Sequence, residues 1–136
     1  MAEALRLIGT KKALIVSAKD GMDEISISDI TYASSLEDGQ IKDFIIDPKD
    51  FGLSLYDKKD IEGGDAKENA KITKDILYGN IDGAKLDIVL INTGASLWVD
   101  GKVDNIQDGI KIARETIKSG LAKAKLEEII KVSNDI

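Results

Sequence analysis

This sequence of 136 residues contains no cysteine and no histidine. Without cysteine there is no disulfide framework and no thiolate metal site. Without histidine there is no imidazole base and no Ser-His triad. Proline occurs once and tryptophan once. No apolar stretch reaches the roughly 18 residues of a membrane span, so none is expected. The opening run Met1-Ala2-Glu3-Ala4-Leu5-Arg6-Leu7 has no cationic segment followed by a long apolar one, and so does not read as a signal peptide. Cytoplasmic is the default localisation. With 19 Lys and Arg against 25 Asp and Glu, the net charge is −6. No basic stripe is present to bind nucleic acid. An acidic chain that handles phosphates has to recruit a divalent cation.

What is present fits one globular domain. The apolar fraction is 43%, ordinary for a packed core. Residues 2–8 read as the last turns of a helix stopped by Gly9. Residues 12–17 form a short apolar run behind two lysines, read as a buried strand. Residues 28–35 and 40–46 read as a β-hairpin turned by Asp38-Gly39, and Asp47-Pro48 ends its second strand because proline removes a ladder donor. Residues 48–64 read as loop. Asp65 with Glu68 has the spacing of a capping box, opening a helix that Gly79 closes. The segment Leu86 to Val99 is ambiguous: its composition suits a strand, its length a helix, and the pattern leans only slightly to helix. Asp104 is read as the cap of a helix carrying Ile106, Ile110, Ala113 and Ile117 on one face, ended by Gly120. Leu121 to Val132 reads as a last amphipathic helix. The fold class is therefore α/β, a partial α/β domain with one parallel-type strand, a β-hairpin and several C-terminal helices. A lone parallel-type strand normally has several parallel neighbours, so the chain reads as part of a fold. Its open strand edge is expected to pair with another chain, giving a homo-oligomer.

The chemistry concentrates in Ala13-Leu14-Ile15-Val16-Ser17-Ala18-Lys19-Asp20-Gly21-Met22-Asp23-Glu24-Ile25-Ser26. An apolar strand runs into a glycine turn that ends in two adjacent carboxylates, Asp23 and Glu24. Such a turn presents oxygen ligands to a hard cation, although an Asp-Glu pair after glycine is also a common solvated turn. Asp20 is read as serving the turn. Asn92 is read as a satisfied core polar group, Trp98 as packing, and Lys11 and Lys12 as solvated residues ahead of the strand.

Five stretches in order carry a resemblance: Ala13 to Ser26, Leu36-Glu37-Asp38-Gly39-Gln40-Ile41, Asp47-Pro48 with Phe51-Gly52, Gly63-Gly64-Asp65 with Glu68-Asn69-Ala70, and Asn92 to Lys102. Together they make the sequence resemble the C-terminal portion of anthranilate phosphoribosyltransferase. The resemblance implies transfer of phosphoribosyl from phosphoribosyl pyrophosphate to anthranilate, in tryptophan biosynthesis. It also implies Mg²⁺ as cofactor, held by Asp23 and Glu24, with no protein nucleophile. The family's glycine-rich diphosphate loop and helical domain belong to its N-terminal half and are not in this sequence, and Gly63-Gly64-Asp65 matches a later family segment. Residues 1–136 are accordingly expected to be a single C-terminal fragment of the α/β domain of a larger enzyme, inactive alone. Ser17-Ala18 stands where the family usually has His-Gly, which removes an imidazole from the substrate pocket. The alternative reading is an autonomous, non-catalytic domain for oligomerisation or protein binding.

Overall fold

The computed structural model describes residues 1–135. A short helix α1 (Ala2–Leu7) precedes strand β1 (Lys12–Ala18), then β2 (Thr31–Glu37) and β3 (Gln40–Ile46). Helices α2 (Ala66–Leu77), α3 (Ala84–Val99), α4 (Ile106–Lys118) and α5 (Leu121–Asn134) follow. The hairpin forms at Asp38-Gly39, with Glu37 opposite Gln40. Both turn residues take positive φ, 47° and 77°, as a tight hairpin turn requires. Asp47-Pro48 ends β3, as its sequence suggests. The stretch to residue 64 is loop with two single 3₁₀ turns, Pro48–Phe51 and Lys58–Asp60.

The pairing of β1 corrects the expectation of a parallel-type strand. Within the described residues its neighbour is β2, antiparallel, with Val16 opposite Ala33 and Ala18 opposite Thr31. The continuous apolar run that suggested a parallel strand has another cause. Leu14 and Val16 face the main core, while the opposite face of β1 and β2 meets α1. Leu36, fully buried but outside the main core, sits on that second face. Both faces are covered in part, so alternation disappears. Beyond α1 that face stays open, with Tyr32 and Ile45 about half exposed at 51% and 55%.

Residues 84–99 are a helix, which settles the ambiguous segment. Leu90 and Ile91 are completely buried and Leu86 and Ala95 nearly so. A helix packed on several sides has no polar stripe, so its 3.6-residue period is hidden in the sequence. The cap of α4 is Asn105 and not Asp104: the Asn105 side chain accepts from the Asp108 amide at 2.9 Å and donates to its carboxylate at 2.9 Å. Asp65 does cap α2, accepting from the Glu68 amide at 2.9 Å.

Helices α3 and α4 cross glycine on glycine. A Cβ at position 109 would sit 2.5 Å from the Gly94 carbonyl oxygen, and one at 94 would sit 2.8 Å from the Ile106 carbonyl oxygen. Both obstacles are backbone and cannot swing aside. Gly109→Ala is therefore expected to destabilise the chain. Overpacking costs about 1–3 kcal/mol and outweighs the gain of about 1 kcal/mol that alanine brings to a helix interior. Urea denaturation reads the difference, and a neutral or stabilised variant contradicts the close crossing.

Candidate functional site

The loop between β1 and β2 carries the predicted carboxylates, and its shape comes from its own short polar side chains. The Asp20 carboxylate accepts from the Met22 amide at 3.2 Å and from the Ser26 hydroxyl at 2.7 Å. The Ser26 oxygen in turn accepts from the Ser28 amide at 2.9 Å, and Thr31 Oγ1 accepts from the Ser26 amide at 3.1 Å. Backbone bonds close the neck, from Ala18 N–H to the Met22 carbonyl at 3.0 Å and from Lys19 N–H to the Ile30 carbonyl at 2.9 Å. Gly21 takes φ 94°, the conformation the turn needs and other residues avoid. Asp20 thus serves the turn, as its position suggested. Its carbonyl also accepts from the Lys58 ammonium.

The far side of the loop is anchored to the core. Ile25, Ser26 and Ile27 are at most 1% exposed. Asn92, on α3, accepts from the Ile25 amide at 3.0 Å and donates to the Ile25 carbonyl at 2.9 Å. Its second N–H reaches the Ile88 carbonyl at 2.9 Å. The reading of Asn92 as a satisfied polar group holds, and its partner is the residue directly after Glu24. The Ile27 carbonyl accepts from the Tyr56 amide at 3.0 Å.

Asp23 and Glu24 lie between these two anchored flanks, both exposed. Partial burial pushes the Glu24 carboxyl above its ordinary value, and the neighbouring Asp23 charge adds to the shift. A cation placed between the two relieves that repulsion. Among the described residues no three acidic, His or Cys side chains converge to hold a metal by themselves. Two carboxylates suit Mg²⁺, which commonly takes one or two from the protein and the rest from phosphates and water. The donor set fits the ion that the resemblance implies.

A second polar cluster, not foreseen from the sequence, braces the 52–57 loop against α3 and α4. Asp87 is 8% exposed. It accepts from the Tyr56 hydroxyl at 2.9 Å and from Arg114 at 3.3 Å. The three residues lie on the 52–57 loop, α3 and α4, so no local pattern links them. Tyr56 holds its proton above the ordinary phenol value, chiefly because its hydroxyl donates to Asp87. Trp98 packs edge-on to Phe44, with centroids 6.4 Å apart. Lys12 is less solvated than its sequence position suggested: its ammonium lies 5.1 Å from the Trp98 ring centroid and 2.9 Å from Glu37.

An antiparallel sheet packed against α3, with a carboxylate loop leaving β1, defines this as an α/β domain. Residues 1–123 match the model described as glycosyl transferase family, a/b domain, and the chain belongs to that family. Within it, the chain is similar to anthranilate phosphoribosyltransferases over nearly its whole length. That of Methanobrevibacter smithii is 46% identical over 134 residues, covering 98% of this chain and 40% of the relative. That of Rubrobacter xylanophilus is 41% identical over 133 residues, covering 98% and 39%. Among solved structures, the Saccharomyces cerevisiae enzyme in complex with PRPP and Mg superposes with a TM-score of 0.88 at 28% identity, covering 99% of this chain and 39% of that one. The Thermus thermophilus enzyme gives 0.81 at 30% identity, covering 93% and 37%. The chain thus spans about 40% of the length of the curated relatives it matches, in their C-terminal portion.

Tyr56→Phe removes one donor from buried Asp87. The expected loss of stability is about 1–2 kcal/mol, the cost of leaving a buried acceptor short of a partner. Chemical denaturation measures it, and an unchanged or more stable variant contradicts a bracing role for this cluster.

Proposed function

We propose that this chain supplies the cation-binding part of an anthranilate phosphoribosyltransferase site, with Asp23 and Glu24 as the Mg²⁺ ligands. The observation that carries the reading is the placement of two adjacent, exposed carboxylates on a loop whose flanks are tied to the turn and to α3. The relatives' names and the PRPP and Mg of the yeast complex support it. In this reading residues 1–136 are the C-terminal part of the α/β domain of a larger, cytoplasmic enzyme. The diphosphate-holding glycine loop and the helical domain lie outside this sequence, and further copies assemble with it. No helix among the described residues is long and apolar enough to cross a membrane.

Displacing pyrophosphate from C1 of ribose builds positive charge on the sugar and negative charge on the leaving group. Mg²⁺, when bound, neutralises charge on the phosphate oxygens. The protein's own residues act through their placement. Asp23 and Glu24 offer oxygens at one edge of the loop, and the loop's internal bonds fix where those oxygens stand. The amine of anthranilate is the nucleophile, so the lack of histidine and cysteine is no obstacle.

Two outcomes test this. First, the chain alone is expected to show no turnover of phosphoribosyl pyrophosphate with anthranilate. Measurable turnover contradicts the division of the site between this sequence and the rest of the enzyme. Second, this chain can be joined to the part of the M. smithii relative that it does not cover. There, Glu24→Gln or Asp23→Asn is expected to lower kcat/KM about 100-fold or more, the scale for losing a preorganised electrostatic group, with the unfolding midpoint unchanged. Full activity in the double variant overturns the assignment.

A further inference from the structure

We infer that Asn92 is the positioning residue of the Asp23–Glu24 pair, holding the cation loop in register with α3; the inference rests on the functional reading above. Three observations carry it.

All of the Asn92 amide's hydrogen-bonding directions that face the protein are taken by backbone. Its oxygen serves the Ile25 N–H at 3.0 Å, and its nitrogen serves the carbonyls of Ile25 and Ile88 at 2.9 Å each. The paired bonds to Ile25 match what a neighbouring strand offers one residue of a ladder. A side chain projecting from a helix thereby fixes both polar groups of one loop residue, and that residue is the neighbour of Glu24.

The group clamped has little alternative. Ile25 is 1% exposed, so its backbone cannot trade Asn92 for bulk water. Two buried backbone groups left without partners are costly, which favours the clamped geometry over any rearranged loop.

The helix that holds the clamp is itself fixed. Gly94, two residues beyond Asn92, meets α4 backbone to backbone, and Asp87, on the preceding turns, is bound to Tyr56 and Arg114. Ligand-bearing loops need supports of this kind, and removing such outer partners typically costs 10–100-fold in metal affinity. The Asp20–Ser26 bond steadies the other side of the carboxylates but belongs to the loop and moves with it. The Tyr56 amide on the Ile27 carbonyl and the Lys58 ammonium on the Asp20 carbonyl also reach the loop from outside, but Asn92 is the tie from α3 and the one that grips the residue next to Glu24.

The test uses the joined enzyme described above. Mn²⁺ binding is followed by electron paramagnetic resonance in the presence of phosphoribosyl pyrophosphate, and the Mg²⁺ concentration for half-maximal rate is measured in parallel. Asn92→Leu keeps the approximate volume and removes the amide; Asn92→Ser is a smaller, polar second variant in case the first folds poorly. Either is expected to weaken Mn²⁺ binding and raise the Mg²⁺ half-saturation about 10–100-fold, with part of kcat returning at saturating Mg²⁺. Ile76→Ala thins the core at α2, away from the loop and its clamp, and is expected to lower the unfolding midpoint while leaving Mg²⁺ half-saturation within about twofold. If both Asn92 variants lose stability as Ile76→Ala does and keep wild-type metal dependence, the positioning role is overturned and Asn92 is structural only. If Asp23→Asn and Glu24→Gln also leave Mn²⁺ binding unchanged, the functional reading beneath it fails as well.

Discussion

The pairing of Asn92 with Ile25 is the constraint on which the rest of the site depends. A loop between two strands has no ladder of its own, so its backbone must find partners elsewhere. Here the turn half finds them within the loop, through Asp20, Ser26 and Thr31, and the buried half finds them on α3. Between the two, Asp23 and Glu24 are left with their backbone directed and their side chains free. That division lets a structure this small carry two repelling carboxylates side by side at its surface.

The clamp in turn needs α3 to be fixed against both the sheet and α4. The sheet side is apolar: Leu14 and Val16 of β1 and Phe44 of β3 pack against a core that includes Leu90, Ile91 and Ala95. The α4 side is a backbone contact at Gly94 and Gly109, reinforced by Arg114 on Asp87. Burial of the apolar face contributes most of the stability, at about 25 cal/mol per Å². The glycine contact and the Asp87 cluster decide the position of the helix along and around its axis. Position, more than strength, is what the proposed role of Asp23 and Glu24 requires.

The parts of this arrangement that were legible in the sequence are those written in neighbouring residues. Asp38-Gly39 marks the hairpin, Asp65 with Glu68 marks the start of α2, and Asp23-Glu24 behind Gly21 marks the loop. The ordered set of motifs also carried the family. What was not legible depends on residues far apart in the chain. The type of α3 is hidden because its surroundings are apolar on several sides. The direction of β1's partner is hidden because α1 partly covers its second face. Asn105 takes the cap that the sequence assigns to Asp104, because the Asn105 amide can answer both the amide and the carboxylate of Asp108. Tyr56, Asp87 and Arg114 are 27 and 31 residues apart along the pairs they form, and only folding joins them. Asn92 was legible as a polar residue needing a partner, and Ile25 as that partner was not.

If the carboxylate loop is held in shape before any ligand arrives, the backbone of Ile25 carries the record. Amide hydrogen exchange of the chain, followed residue by residue by nuclear magnetic resonance, tests this directly. The Ile25 amide is expected to exchange as slowly as the amides of Leu90 and Ile91 in α3, well below the rates of Asp23 and Glu24 beside it. Exchange of Ile25 at the rate of its exposed neighbours contradicts the account, because the loop then opens independently of the helix that is said to hold it.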